Sequence, residues 1–371
     1  MKRILTIMLA LMLTLSSVLP AVAADVPTTV TINGGGSGAP LVKAKWEQDL
    51  TTSLENGDPT HLTAGSQFLP PLIKNAKKPI QYWAIVTDPD GANTIAGVTV
   101  DVFHPNNSPA PYNANNFFKY QIILQKVDQA TGLAAYIKAR DAKLVTFQQN
   151  TTPPINDAEI LMELDKGTAY VYMGQQDIDY EQPAGLYTVK VDAWDTTNAY
   201  AGQATPPLNL INEFRYVAVN GIEVDFSVVN YGSVAVSSEK WIAGDTIWQT
   251  PVGPAPAPNP ATVRNIGNTW VKITVKQNDM GFGFSGVTGT AYSGPTPPAA
   301  GQSNWNVVFD ARMGSNPANA MYYDPNVQIT LPNVLTLSNQ DELDFSIHVI
   351  KSPSGSKVGQ MIIGSVAVPF P

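Results

Sequence analysis

Ile80-Gln81-Tyr82-Trp83-Ala84-Ile85-Val86 decides the fold class. Successive residues of a strand point to opposite faces. Here Ile80, Tyr82, Ala84 and Val86 form one apolar set, and Trp83 and Ile85 make most of the other. A strand apolar on both sides is a central strand, covered on both faces. Asp88-Pro89-Asp90-Gly91 then turns the chain, with Asp side chains suited to local backbone hydrogen bonds. Beyond the turn, Val98, Val100 and Val102 alternate with Thr99 and Asp101, which predicts a strand with one buried face. Phe118 to Val127 repeats the pattern, and so does Leu186 to Ala193, where Tyr187, Val189, Val191 and Ala193 oppose Thr188, Lys190 and Asp192.

Between those two strands the period changes. Leu133 to Leu144 spaces apolar residues helically, and Asn156-Asp157-Ala158-Glu159 is a capping box opening a helix that stops near Gly167. The pair reads as a helical insertion near residues 132–167. Either it carries function, as inserts on rigid scaffolds often do, or it covers one end of the sheet. After the Gly- and Pro-rich stretch Ala201 to Asn209, a boundary is expected at Asn212 to Val219. Alternation resumes from Ile222. Val271, Ile273 and Val275 oppose Trp270, Lys272, Thr274 and Lys276; Trp305, Val307 and Phe309 oppose Asn306 and Asp310. Leu343, Phe345, Ile347 and Val349 oppose Asp344, Ser346 and His348. Pro251 to Pro260 and Ser285 to Gln302 read as surface excursions. The expectation is an all-β chain of two tandem sandwiches, residues 39–212 and 219–368.

The 371 residues, 44% hydrophobic and 14% charged, suffice for more than one core. With 22 basic against 30 acidic residues the chain repels phosphate backbones, which disfavours nucleic acid as a partner. Absence of Cys excludes disulfides and thiolate metal sites. Met1-Lys2-Arg3, the apolar run Ile4 to Leu15 and Ala21-Val22-Ala23-Ala24 together read as a signal peptide, residues 1–24, cut after Ala23 or Ala24. Export to the cell surface or medium follows, with no transmembrane anchor expected after cleavage. Residues 25–38 then read as a strand and hinge: β-branched Thr28, Val30 and Ile32 share one face, and Gly34 to Gly38 is nearly free of side chains.

Asn230-Tyr231-Gly232-Ser233-Val234, Gly244-Asp245 and Thr262-Val263-Arg264-Asn265-Ile266-Gly267-Asn268 leading into Val271-Lys272-Ile273 resemble the immunoglobulin-like sandwiches of archaeal cell-surface and secreted proteins. The sequence is also similar, more loosely, to biofilm-fibre and bundling-pilus subunits, in which an Asn-x-Gly-Asn turn joins two core strands. Gly185-Leu186-Tyr187-Thr188-Val189 likewise resembles a late strand of such modules. The resemblance implies two immunoglobulin-like sandwiches, a surface location and self-association or binding to other surface proteins.

Motifs for chemistry are sparse. His61, His104 and His348 lie far apart, without a His-Glu-x-x-His, and no Gly-x-Ser-x-Gly elbow occurs, so no catalytic residue and no enzyme activity are expected. His348 reads as a solvent-exposed residue on the outer face of its strand. Calcium is the one cofactor considered, through the paired carboxylates Asp88 and Asp90 or Asp177 and Asp179, although no complete Asp-x-Asp-x-Asp-Gly loop is present. Trp270 shares a face with Lys272, Thr274 and Lys276 and suggests a platform for stacking a sugar or packing a subunit. Asn106 and Asn150 fit the glycosylation pattern.

Three functions are then open. The first is a structural or adhesive surface protein, a filament or coat subunit assembled by donation of the strand carrying Thr28, Val30 and Ile32. The second is an extracellular carbohydrate-binding module, resting on the tryptophans and the inserted helices. A secreted hydrolase with a non-obvious site is the third.

Overall fold

The structure is a computed structural model and describes residues 38–49, 66–104, 119–250, 259–286, 290–352 and 354–369. All of these lie in one compact unit, Ser37–Pro371. The expected signal peptide, the expected strand with Thr28, Val30 and Ile32, and Asn106 fall outside the described residues.

The first half builds β1 (Leu41–Asp49), β2 (Gln67–Phe68), β3 (Lys77–Thr87), β4 (Ile95–Phe103), β5 (Lys119–Lys126), β6 (Thr146–Phe147), β7 (Ala169–Asp179), β8 (Gly185–Asp195) and β9 (Leu210–Tyr216). They form one nine-stranded sheet in the order β2-β9-β8-β4-β5-β7-β3-β1-β6. Only two residue pairs join β5 to β7, whereas β5 pairs with β4 along most of its length. The sheet folds over at that weak seam, and its two halves face each other across a core of Tyr82, Val86, Val100, Val189, Phe214 and their neighbours. The other face of β3 meets α1 (Gln129–Asp141) and α2 (Asp157–Lys166), where Trp46 stacks on Trp83 at 5.6 Å beneath Tyr136. This is the two-sided burial that Ile80 to Val86 requires. Asn156 accepts from Glu159 N and Gly167 closes α2 in the left-handed region, as the capping box predicts.

The second half builds β10 (Ile222–Val224), β11 (Ser238–Ile242), β12 (Thr262–Asn265), β13 (Trp270–Gln277), β14 (Ser293–Gly294), β15 (Val307–Met313), β16 (Met321–Tyr323), β17 (Gln328–Thr330), β18 (Gln340–Val349) and β19 (Met361–Val368). A seven-stranded sheet runs β10-β12-β18-β15-β16-β14, with β11 added on β18, and a three-stranded sheet runs β17-β13-β19. Val271, Ile273 and Val275 of one face Phe309, Phe345 and Ile347 of the other in a separate core. Two expectations need adjustment. The stretch Ser285 to Gln302 supplies β14, paired to β16, and β9 continues through the expected boundary to Tyr216 because Phe214 and Tyr216 are core residues.

The Asn-x-Gly-Asn turn between β12 and β13 also ties the halves together. Buried Asn268 accepts from Val219 N at 2.8 Å and donates to Val217 O at 2.9 Å, while its carbonyl accepts from Ala184 N at 2.9 Å. A Cβ on Gly267 would lie 2.3 Å from Val219 O, so the turn needs glycine for close approach.

Candidate functional site

Ser227-Val228-Val229-Asn230-Tyr231-Gly232-Ser233-Val234-Ala235-Val236 has a strand-like composition but forms no strand. Asn230 Oδ1 accepts from Gly232 N at 2.9 Å, and Gly232 adopts φ 62°, so an Asx turn breaks the run before it can pair. The segment instead walls a groove lined by both apolar and polar residues. Two adjoining cavities of about 690 and 580 Å³ share Val228, Val229, Tyr231, Met280 and Lys357. Ile347 and Val349 of β18 line one of them, and Met361 and Ile363 of β19 line the other. Val228 and Val236 are 40% and 52% exposed, which is unusual for valines beside a core.

Two features leave the groove short of partners. β19 pairs only with β13 among the described strands, so its second edge presents backbone donors and acceptors. The Tyr231 side chain is buried, yet its hydroxyl has no hydrogen-bond partner. Burial pushes that phenol's pKa up, and the Asp310 carboxylate adds to the effect, so it stays protonated as a donor.

Trp270 starts β13, half-buried, and pairs with Val368. Its neighbours on that face are Lys272 and Val366, then Thr274 and Gly364, then Lys276 and Ile362. The two candidate calcium pairs occupy separate places. Asp177 and Asp179 lie opposite Pro79 and Lys77 at one end of β3, and Asp88 and Asp90 follow its other end, about 35 Å away at ~3.3 Å per residue. Asp88 Oδ1 accepts from Asp90 N at 2.8 Å, the turn bond its sequence suggests, and burial raises its pKa. Asp179 pairs with Lys77 at 3.4 Å. The inserted helices cover Trp46 and Trp83 and so serve as a lid on a core. Asn150 donates to Pro207 O at 3.0 Å in an exposed loop.

His348 differs from its expected solvent exposure. Its side chain is 22% exposed and its Nε2 lies 2.6 Å from Asp310 Oδ2, because the neighbouring strand brings a buried carboxylate under the ring.

No protein-family model matches the sequence. No curated protein matches it either. Among solved structures, the chain is similar to a chaperone–tip adhesin complex of CFA/I fimbriae, at 8% identity and TM-score 0.24 over 91% of this chain and 87% of that chain. It is also similar to the chaperone–tip adhesion subunit complex of archaic chaperone-usher Csu pili of Acinetobacter baumannii, at 10% identity and TM-score 0.28 over 81% and 96%. A third is the C-terminal domain of an antigen I/II-family protein of Streptococcus pyogenes, at 12% identity and TM-score 0.20 over 88% and 96%.

Proposed function

We propose that the chain is an exported, non-enzymatic structural or adhesive protein of the cell surface whose copies join by strand donation. The observation that carries this reading is the groove walled by exposed Val228 and Val236, together with β19, which lines it through Met361 and Ile363 and pairs on one edge only among the described strands. Its occupant is residues 26–33 of a second copy. In that segment Val26, Thr28, Val30 and Ile32 alternate with Pro27, Thr29, Thr31 and Asn33, so one face is fit for the groove and the other for water. An inserted strand would pair with an open sheet edge. Gly34 to Gly38 supplies the hinge.

The test compares sedimentation of the mature protein, a form lacking residues 24–33, and Val236→Asp, which changes an exposed groove wall. Polymers in the first and monomers in the other two are expected. Equal particle size in all three overturns the proposal, and Val236→Asp keeps the test decisive if the deletion unfolds the chain.

A glycan-binding module has one observation in its favour. Phe284 is 65% exposed and stacks on Trp305 at 4.1 Å, an aromatic surface suited to a sugar face. Binding of the monomer to a glycan array, lost in Phe284→Ala, would favour this reading.

A further inference from the structure

The outer face of the seven-stranded sheet gathers three chemically able side chains from three adjacent strands. β18 lies between β15 and β11, with Glu239 opposite His348 and Asp310 opposite Ser346. Their inward neighbours Phe309 and Ile347 are core residues, so the period of two sends Asp310, Ser346 and His348 to the other side. Asp310 is fully buried there. Its Oδ2 meets His348 Nε2, while Oδ1 has no hydrogen-bond partner. Glu239 Oε2 lies 3.7 Å from His348 Nδ1, and Ser346 Oγ lies 3.1 Å from His348 Nε2 and 3.5 Å from Glu239 Oε1. One ligand atom from each of Glu239, Asp310 and His348 falls within 4.8 Å of the other two.

We propose that Glu239, Asp310 and His348 form a binding site for a divalent transition-metal cation of the zinc class, with the Ser346 hydroxyl beside it. Charge balance favours such an occupant. Glu239 and Asp310 bring two carboxylates to one imidazole. A divalent cation would offset both carboxylates and would give the buried Asp310 Oδ1 the partner that burial demands. The nearby guanidinium of Arg312 is already committed, 2.6 Å from Asp344 and stacked over Trp241.

Donor type selects the metal. One imidazole nitrogen with two carboxylates suits zinc and its neighbours in the first row, whereas calcium takes an all-oxygen shell of about six to eight ligands. Access is from solvent past Glu239, 42% exposed, with Asp310 closing the inner side. Such an ion would pin the edge strand β11 to β18 and β15, and this site is separate from the groove and from any strand donation.

The test is calorimetric titration of zinc chloride into the chelator-treated full mature chain, followed by thermal unfolding with and without zinc. One equivalent per chain and a raised melting temperature are expected, with His348→Gln and Glu239→Gln each weakening zinc by about tenfold or more. Both substitutions change partly exposed side chains, and circular dichroism checks that the variants are folded. No zinc uptake by the wild type, or uptake unchanged in both variants, overturns the site. Calcium binding as tightly as zinc overturns the metal class.

Discussion

Acid should weaken this protein through one residue, His104. It is buried at the end of β4, packed edge-on against Tyr187 with ring centroids 4.5 Å apart. Burial pulls its pKa down from 6.5 to about 4, against the opposing effect of the Ala184 and Pro183 backbone. The unfolded chain therefore takes up a proton on this ring below pH 6.5 that the folded chain refuses until about pH 4. Stability from this group is complete above pH 6.5, falls as pH drops through the window, and changes no further below about 4. At about 1.4 kcal/mol per pH unit, the window is worth roughly 3 kcal/mol. His104→Phe keeps a ring against Tyr187 and cannot titrate. Urea unfolding of both proteins at steps between pH 7 and 4 should show the wild type losing about 3 kcal/mol more than the variant over that range. Parallel curves would refute the reasoning, because they would mean the imidazole titrates alike in the folded and unfolded chain.

Lys45→Met should cost about 3–5 kcal/mol in urea unfolding, since fully buried Glu47 would lose its ammonium partner at 2.5 Å. Replacing both residues, as Lys45→Met with Glu47→Leu, should recover part of that loss by removing the stranded charge. Asn268→Ala should cost about 1–3 kcal/mol and, in calorimetry, separate the unfolding of the two halves, because it removes the side-chain bonds to Val217 and Val219. A fragment beginning at Asn220 should unfold cooperatively by itself, since the core around Phe309 and Phe345 contains no residue from the first half. A disordered fragment would mean that the joint around Asn268 is needed to hold the second sandwich together.

Much of the fold was legible because period is local. Ile80 to Val86 shows apolar residues on both faces, and β3 is covered by a sandwich core on one side and by helices on the other. Asn156 and Gly167 mark both ends of α2 by local backbone chemistry. The helices themselves could be read either as a functional insert or as a cover. Sequence could not choose, since Tyr136 and Ile160 meet Trp46 and Trp83 only through the fold. The groove was hidden for a different reason. Val228 to Val236 reads as strand by composition, and a single Asn-x-Gly turn at Asn230 to Gly232 diverts it, a signal as common in ordinary hairpins as in broken strands.

The cluster at His348 shows where one-dimensional reading stops. Alternation alone places Ser346 and His348 on one face of β18 and Ile347 and Val349 on the other, and it assigns Asp310 to the outer face of β15. What alternation lacks is the neighbour. Asp310 lies 38 residues from His348 in sequence, and Glu239 lies still farther away; only the pairing of β15 and β11 on either side of β18 brings them together. The same strand thus serves two surfaces, since Ile347 and Val349 line the groove while their alternating neighbours hold the carboxylate and imidazole cluster. A one-residue slip in the register of β18 would exchange those faces, placing His348 in the groove and Ile347 against Asp310. Burial of Phe345 and Ile347 against Val271 and Ile273 prevents that slip, so the core that stabilises the sandwich also keeps the two candidate sites on opposite sides of it.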